Sequence, residues 1–246
     1  MLLPFFLLAQ NQKHKTMLAI FAHPDDEMAI ADVLVKYARL GHKVILMIAT
    51  NGKNGTRVTS IPAGDSLGSI RKLESVCGCK KMGIEPPIFL SVERLDTKIG
   101  VREYFNEHIK LRAALVDKIP TINPDIIITF GSDGDTHHAE HIVVGSAVTE
   151  VLLQQGWGDR YPLYYVAYNK EQSVDGELGY LDERYLNVEI KYTQEDELTG
   201  LEANKCYVSQ FTEKEFADDR SSKLKDTRNT AFFRRFVVKK GMQKEF

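Results

Sequence analysis

The sequence predicts an α/β fold, a mostly parallel sheet with helices on both faces and a C-terminal α+β elaboration. Short continuous apolar runs of strand length recur along the chain, MLAIFAH (Met17 to His23) and DIIITFG (Asp125 to Gly131) among them, as strands buried on both faces require. Segments of helical length with apolar residues at helical spacing stand between these runs. Parallel neighbours cannot be joined by a tight turn and need such crossovers.

The elements follow in order. Met17 to His23 is the first core strand. Pro24 disfavours helix at His23 but suits a first helical turn, so DDEMAIADVLVKYARL (Asp25 to Leu40) reads as a helix that Gly41 stops. HKVILMIATNG (His42 to Gly52) repeats the strand, and SLGSIRKLESVCGCKKMGI (Ser66 to Ile84) is the next amphipathic helix. PPIFLSV (Pro86 to Val92) is a third strand and REYFNEHIKLRAALVDKIPTI (Arg102 to Ile122) a third helix. DIIITFG is the fourth strand, followed by the helix AEHIVVGSAVTEVLLQQG (Ala139 to Gly156). After Trp157 the alternation weakens. PLYYVAY (Pro162 to Tyr168) and YLNVEIKY (Tyr185 to Tyr192) read as strands, EDELTGLEANKCYVSQF (Glu195 to Phe211) as a helix, and AFFRRFVV (Ala231 to Val238) as a closing strand. This is a Rossmann-like arrangement in one continuous domain, residues 16–246, after an extension over residues 1–15. No internal repeat or low-complexity linker marks a boundary.

Composition narrows the function classes. With 43% hydrophobic and 27% charged residues, 17 Gly and 8 Pro, the 246-residue chain is neither collagen-like nor disordered. At this size about three quarters of the unfolded surface is buried on folding, so any metal is there for chemistry and not to hold the fold. The 32 basic and 34 acidic residues give no pull toward nucleic acid or acidic membrane. Cys77, Cys79 and Cys206 are odd in number without CxxC spacing and are expected to be small buried thiols. The apolar MLLPFFLLAQ at the N-terminus falls far short of the about 20 residues that span a bilayer. It resembles a signal-peptide core but lacks a preceding basic residue, so a packed extension, a signal remnant and a misplaced start stay open. A cytoplasmic location is expected, with export the alternative if residues 1–10 are a signal remnant.

In open α/β sheets ligands bind at the carboxyl ends of the strands. Three polar loops qualify: AHPDDE (Ala22 to Glu27), TNGKNGT (Thr50 to Thr56) and GSDGDTHHAEH (Gly131 to His141). In the first, His23, Asp25 and Asp26 crowd an imidazole and two carboxylates together, which is costly unless a cation is shared. A plain helix start is the alternative, since the dipole favours each acidic charge there by about 0.3–1 kcal/mol. In the third, His138 and His141 lie three apart at a helix start and share one face. Glu140 between them can orient an imidazole, whereas His137 points elsewhere into solvent. A polar surface turn would explain this loop too, but four of the seven histidines fall in two strand-end loops. Imidazole plus carboxylate is a recognised zinc ligand set.

These residues carry a resemblance. AHPDDE after the first strand, with H-x-[DE]-H after the strand ending PDIIITF, resembles the PIG-L (LmbE-like) family of zinc-dependent N-acetylglucosamine deacetylases. GSIRKLES (Gly68 to Ser75) resembles that family's Arg-and-Glu helix and NKCYVSQF (Asn204 to Phe211) its C-terminal Ser-Gln segment. Where the family more often has Pro and Asp between the two histidines, this chain has Ala139 and Glu140, the latter one methylene longer. The resemblance implies that His23, Asp26 and His141 ligate one zinc per chain, another divalent ion being compatible, and that Asp25 is the general base. It implies further that His138, if protonated, stabilises the oxyanion and protonates the leaving amine. Three protein ligands leave a position open for water, whose pKa a catalytic zinc lowers from about 15.7 to about 7.

The expected ligand is a small amino-sugar conjugate. TNGKNGT resembles the family's second pocket-lining loop and brings Asn54. Arg71 and then Arg57 are expected to hold a sugar hydroxyl, phosphate or carboxylate, with surface charge the alternative for each. Asp133 and Asp135 are candidates for the rim. Two other readings are a non-catalytic binding module and a metal-dependent phosphoesterase, which favours more carboxylates around two ions. A nucleotide-binding reading is disfavoured because no GxGxxG follows the first strand. A homo-oligomer is compatible with all of this, and what is attached to the sugar is not legible.

Overall fold

The computed structural model describes residues 14–173 and 176–245. Apart from His14 and Lys15, the extension at residues 1–15 lies outside the described residues. The strands are β1 (Thr16–Phe21), β2 (Lys43–Thr50), β3 (Ile88–Val92), β4 (Ile126–Phe130), β5 (Leu163–Ala167), β6 (Val188–Lys191) and β7 (Thr230–Arg235). They form one sheet in the order β3-β2-β1-β4-β5-β7-β6. The five strands from β3 to β5 pair in parallel, while β7 runs antiparallel to both β5 and β6. The parallel sheet and its C-terminal α+β addition are thus as expected. Chain direction across the sheet reverses between β1 and β4, and there the carboxyl-end loops separate into a crevice.

Strand burial explains the continuous apolar runs. In β1, Met17, Ala19 and Phe21 join one core layer while Leu18 and Ile20 join the other, so both faces are covered. The first layer includes Val33 and Leu34 of α1 (Ala31–Arg39) and Cys79 and Met82 of α2 (Asp65–Met82). The opposite layer holds Leu111, Leu115 and Ile119 of α3 (Val101–Ile122) against the helix that follows β4. Each such fully buried aliphatic side chain contributes about 1.5–3 kcal/mol, which fixes the sheet that carries the loops.

Local differences have local causes. The helix expected from Asp25 begins as a 3-10 turn, Asp26–Ile30, and turns α-helical only at Ala31, because Asp25 sits at φ 101. After β4 the chain makes a short turn, α4 (Gly134–His137), before α5 (Ala139–Gln154). The helix expected over residues 195–211 is α6 (Gln194–Asn204), after which the chain turns through Tyr207. An additional helix, α7 (Glu213–Lys225), has no buried residue and so no apolar stripe to read. Its signature is the capping box of Thr212 and Glu215. Among the described residues no helix is long and apolar enough to cross a membrane.

The expectation of three free thiols is corrected. Cys77 on α2 and Cys206 just after α6 form a disulfide with a Cα–Cα distance of 5.8 Å, and only Cys79 is a free, buried thiol. Packing of α6 across α2 brings the pair together from 129 residues apart, a separation no local spacing announces. Losing this crosslink should lower unfolding free energy by about 2–4 kcal/mol. Denaturation midpoints with and without dithiothreitol should differ for the native chain and coincide for Cys77→Ser/Cys206→Ser; identical midpoints for the native chain would contradict a formed disulfide.

Candidate active site

The first loop is folded by its own carboxylates. Beyond β1, the N–H groups of Ala22 and His23 both donate to Asp26 Oδ2, at 3.0 and 2.8 Å. Asp25 is held in the left-handed region, where a non-glycine residue costs on the order of 1–3 kcal/mol. Two supports hold it: its N–H donates to Glu27 Oε2 at 3.1 Å, and its Oδ1 accepts from Arg71 at 3.0 Å. Glu27 is fully buried, and its other oxygen accepts from the Tyr207 hydroxyl. Burial pushes the Glu27 carboxyl up to about 8 despite that bond.

The third loop is equally constrained. Asp135 and His137 also have positive φ, so strained backbone concentrates around the crevice. Asp133 accepts from the Asp135 N–H at 3.0 Å, and the Tyr168 hydroxyl donates to Asp135 Oδ1 at 2.5 Å. Burial raises the Asp135 carboxyl to about 6. His138 caps α5, its Nδ1 accepting from the Glu140 N–H at 3.2 Å. His141, one turn on, pairs Nδ1 with the Gly134 carbonyl at 3.0 Å and stacks on Phe130.

The two loops meet at Asp26. Its Oδ1 lies 3.0 Å from His141 Nε2 and 3.6 Å from His23 Nδ1. His23 turns its other nitrogen, Nε2, to Glu140 Oε2 at 2.8 Å, and Glu140 Oε1 accepts from the Leu95 N–H at 2.5 Å. The imidazoles of His23, His138 and His141 each offer a nitrogen within 4.8 Å of the others, an arrangement compatible with a metal ion. Donors on one tetrahedral ion at about 2.0–2.1 Å lie about 3.3–3.4 Å apart, a spacing the two contacts to Asp26 bracket. Both imidazoles facing Asp26 have their outer nitrogen occupied by an acceptor, the usual support of a metal-binding histidine. The residues therefore fit a divalent cation.

Electrostatics separate the roles. Burial lowers His23 and His141, but the neighbouring Asp26 carboxylate, joined at His23 by Glu140, reverses this and raises both. Burial would raise Asp26, yet the two imidazoles hold it well below the usual carboxylate range. Burial brings Asp25 up to about 6, with Arg71 pulling against it and Asp26 adding to it. His138 is lowered by burial and by the imidazoles beside it. With Nδ1 already accepting, a neutral His138 carries its proton on Nε2 and can still donate a hydrogen bond.

These side chains line a cleft of about 870 Å³ together with Asn54, Arg57, Arg71 and Asp135. Asn54 and Arg57 stand at its exposed rim, and His137 is exposed as expected. Arg71 differs from expectation. It is 3% exposed and donates to Gly52 O, Pro24 O and Asp25, so it braces two loops and the Asp25 carboxylate instead of reaching outward. Arg57 bonds Glu215 and the Gln210 carbonyl, joining the second loop to the start of α7. Sequence reasoning missed the supports behind the cleft: Glu27 with Tyr207, and Glu74, which accepts from Ser209 N and Oγ at 2.8 and 2.7 Å. The available signal was the resemblance of GSIRKLES and NKCYVSQF, the segments that contain Glu74, Tyr207 and Ser209.

The two arginines should behave oppositely. Arg71→Met leaves Asp25 and two inner carbonyls without their donor and should destabilise the fold by about 3 kcal/mol. Arg57→Ala removes an exposed pair and should stay within about 1 kcal/mol in the same urea titration. Equal effects would show that Arg71 is not the brace described.

The chain and its fold are similar to known proteins. A family model described as GlcNAc-PI de-N-acetylase, PIG-L, matches residues 18–152. The 1D-myo-inositol 2-acetamido-2-deoxy-alpha-D-glucopyranoside deacetylase of Nakamurella multipartita is 26% identical over 163 residues, covering 57% of this chain and 56% of that one. The chain thus spans little more than half the length of the curated relatives it matches. Among solved structures, N,N'-diacetylchitobiose deacetylase from Pyrococcus horikoshii superposes with a TM-score of 0.66 at 19% identity, covering 94% of this chain and 87% of that one. The 4-carboxy-2-hydroxymuconate hydratase of Pseudomonas putida reaches 0.64 at 13% identity, over 94% and 100%, so this fold also carries other chemistry.

Proposed function

The chain belongs to the PIG-L family, and from that premise we propose that it is a zinc-dependent N-deacetylase, converting an N-acetylglucosamine-type conjugate to a free amine and acetate. One observation carries the reading. A single oxygen of Asp26 faces His23 and His141, whose outer nitrogens are held by Glu140 and the Gly134 carbonyl, and the adjacent Asp25 stays outside that set. Two imidazoles with one carboxylate suit zinc better than magnesium or calcium, which favour oxygen donors. The two-ion phosphoesterase alternative is disfavoured because Glu140 is already committed to His23 and the Leu95 N–H.

His23, Asp26 and His141 would hold the ion, which when bound supplies Lewis acidity toward the acetamide carbonyl and brings water acidity near neutral pH. Asp25, held at Oδ1 by Arg71 and with a carboxyl near 6, accepts a proton from the attacking water. The His138 Nε2–H donates to the oxygen that gains charge, a contact typically worth about 3–4 kcal/mol. As the C–N bond breaks, the proton collected by Asp25 passes to the leaving nitrogen, so acetate and amine leave with protons balanced.

The decisive experiment is metal analysis combined with amine release from N-acetylglucosamine conjugates. About one zinc per chain is expected, lost in His141→Ala, with binding weakened about 10–100-fold in Glu140→Gln. Asp25→Asn should keep zinc and lose about 10²–10⁴ in turnover; loss of the metal instead would make Asp25 a ligand. His138→Ala should lower kcat by about 10²–10³ with little change in KM, and a pure KM effect would remove it from oxyanion stabilisation.

A further inference from the structure

The basic side chains around the cleft are all occupied. Lys53 lies 2.7 Å from Glu93 and 3.3 Å from Asp65, and Arg57 lies 2.6 Å from Glu215. Arg71 is held by Asp25 at 3.0 Å, Arg94 by Asp96 at 2.7 Å, and Lys223 by Asp32 at 3.1 Å. Among the described residues no lysine or arginine lining the cleft lacks a carboxylate partner. With the histidines counted as neutral, acidic groups are in excess, eight carboxylates against five lysine and arginine side chains, leaving a formal −3 on the walls, or −1 with a divalent cation.

The end of the cleft formed by α6 and α7 adds a second observation. Asp219 accepts from Asn204 Nδ2 at 3.2 Å and has no ion-pair partner among the described residues. Asn204 is 7% exposed, and its Oδ1 has no hydrogen-bond partner. The Asp219 carboxylate on this wall has no counter-ion among the described residues, so a ligand group that donates hydrogen bonds suits it better than one that only accepts. A phosphate or carboxylate placed there would meet like charge without a free guanidinium or ammonium to pair with.

We propose that the group attached to the amino sugar is uncharged or cationic, a polyol, a further sugar or an amine, and that anionic conjugates are excluded. This rests on the deacetylase reading of the same site and narrows its substrate class. The pairing of Arg57 with Glu215 is the gate for charge: while Glu215 is ionised, Arg57 is not offered to an anion.

The test compares N-acetylglucosaminyl glycerol with N-acetylglucosaminyl glycerate, a pair differing mainly in one carboxylate. The neutral compound should show at least about tenfold higher kcat/KM, and activity on the glycerate should rise with added salt as repulsion is screened. Glu215→Gln keeps the cap on α7 but frees Arg57, and it should improve the glycerate severalfold while leaving the salt-free preference for the neutral compound smaller. Calorimetry on the zinc-loaded Asp25→Asn variant reads the same preference without turnover. Equal or tighter binding of the glycerate overturns the charge assignment even if the enzyme is an active deacetylase. Absence of acetate release from either compound, with the neutral one still bound more tightly, overturns the deacetylase reading and leaves the charge preference standing. Failure of both compounds to bind overturns both readings.

Discussion

The Asp26 carboxylate is the constraint on which the site is built. One oxygen gathers the N–H groups of Ala22 and His23 at the end of β1, and the other faces His23 and His141. It thereby ties the first loop to α5 across the point where the sheet reverses direction. Like-charged Asp25 is tolerated next to it because Arg71 is buried against Asp25, and Arg71 is itself fixed by carbonyls of two loops. Removing Asp26 would leave two buried imidazoles facing each other without an anion between them, which is why the residue is structural and chemical at once.

Much of this was legible in the sequence for specific reasons. The strands were plain because burial on both faces leaves an uninterrupted apolar run, as in Met17 to Phe21. The convergence of three loops followed from parallel topology alone. His23, Asp26 and His141 were recognisable because their motif sits at strand ends where polar residues have little other reason to cluster. The failures share another cause. Asp25 at φ 101 turns the first helical residues into a 3-10 turn, and no propensity encodes that strain. α7 has only its capping box to announce it, since it buries nothing. The partners of Arg71 and Cys77 come from distant segments, and side-chain type alone could not say that the first serves as a brace or that the second is crosslinked.

The cleft's chemistry also depends on groups that never face a ligand. Glu27 supports the backbone of Asp25 and leans on Tyr207, while Glu74 holds Ser209 and Gln210 reaches the Gly55 carbonyl. The segment after α6 is therefore attached to α2 and to both loops on that side. A site assembled on rigid strands still needs such supports, because reacting groups must be held to fractions of an ångström.

The crosslink between Cys77 and Cys206 closes a covalent ring that contains β3 to β6 and all three histidines of the third loop, while β1, its loop and β2 lie outside it. The two halves of the Asp26 cluster thus belong to topologically different parts of the chain. Drawn apart by its ends, the molecule can lengthen only through the segments outside the ring, so β1 and the loop after it, with His23 and Asp26, can be peeled from β4 while His138 and His141 stay within a closed loop. Unfolding of those segments parts the two halves of the Asp26 cluster while the ring keeps its own tether.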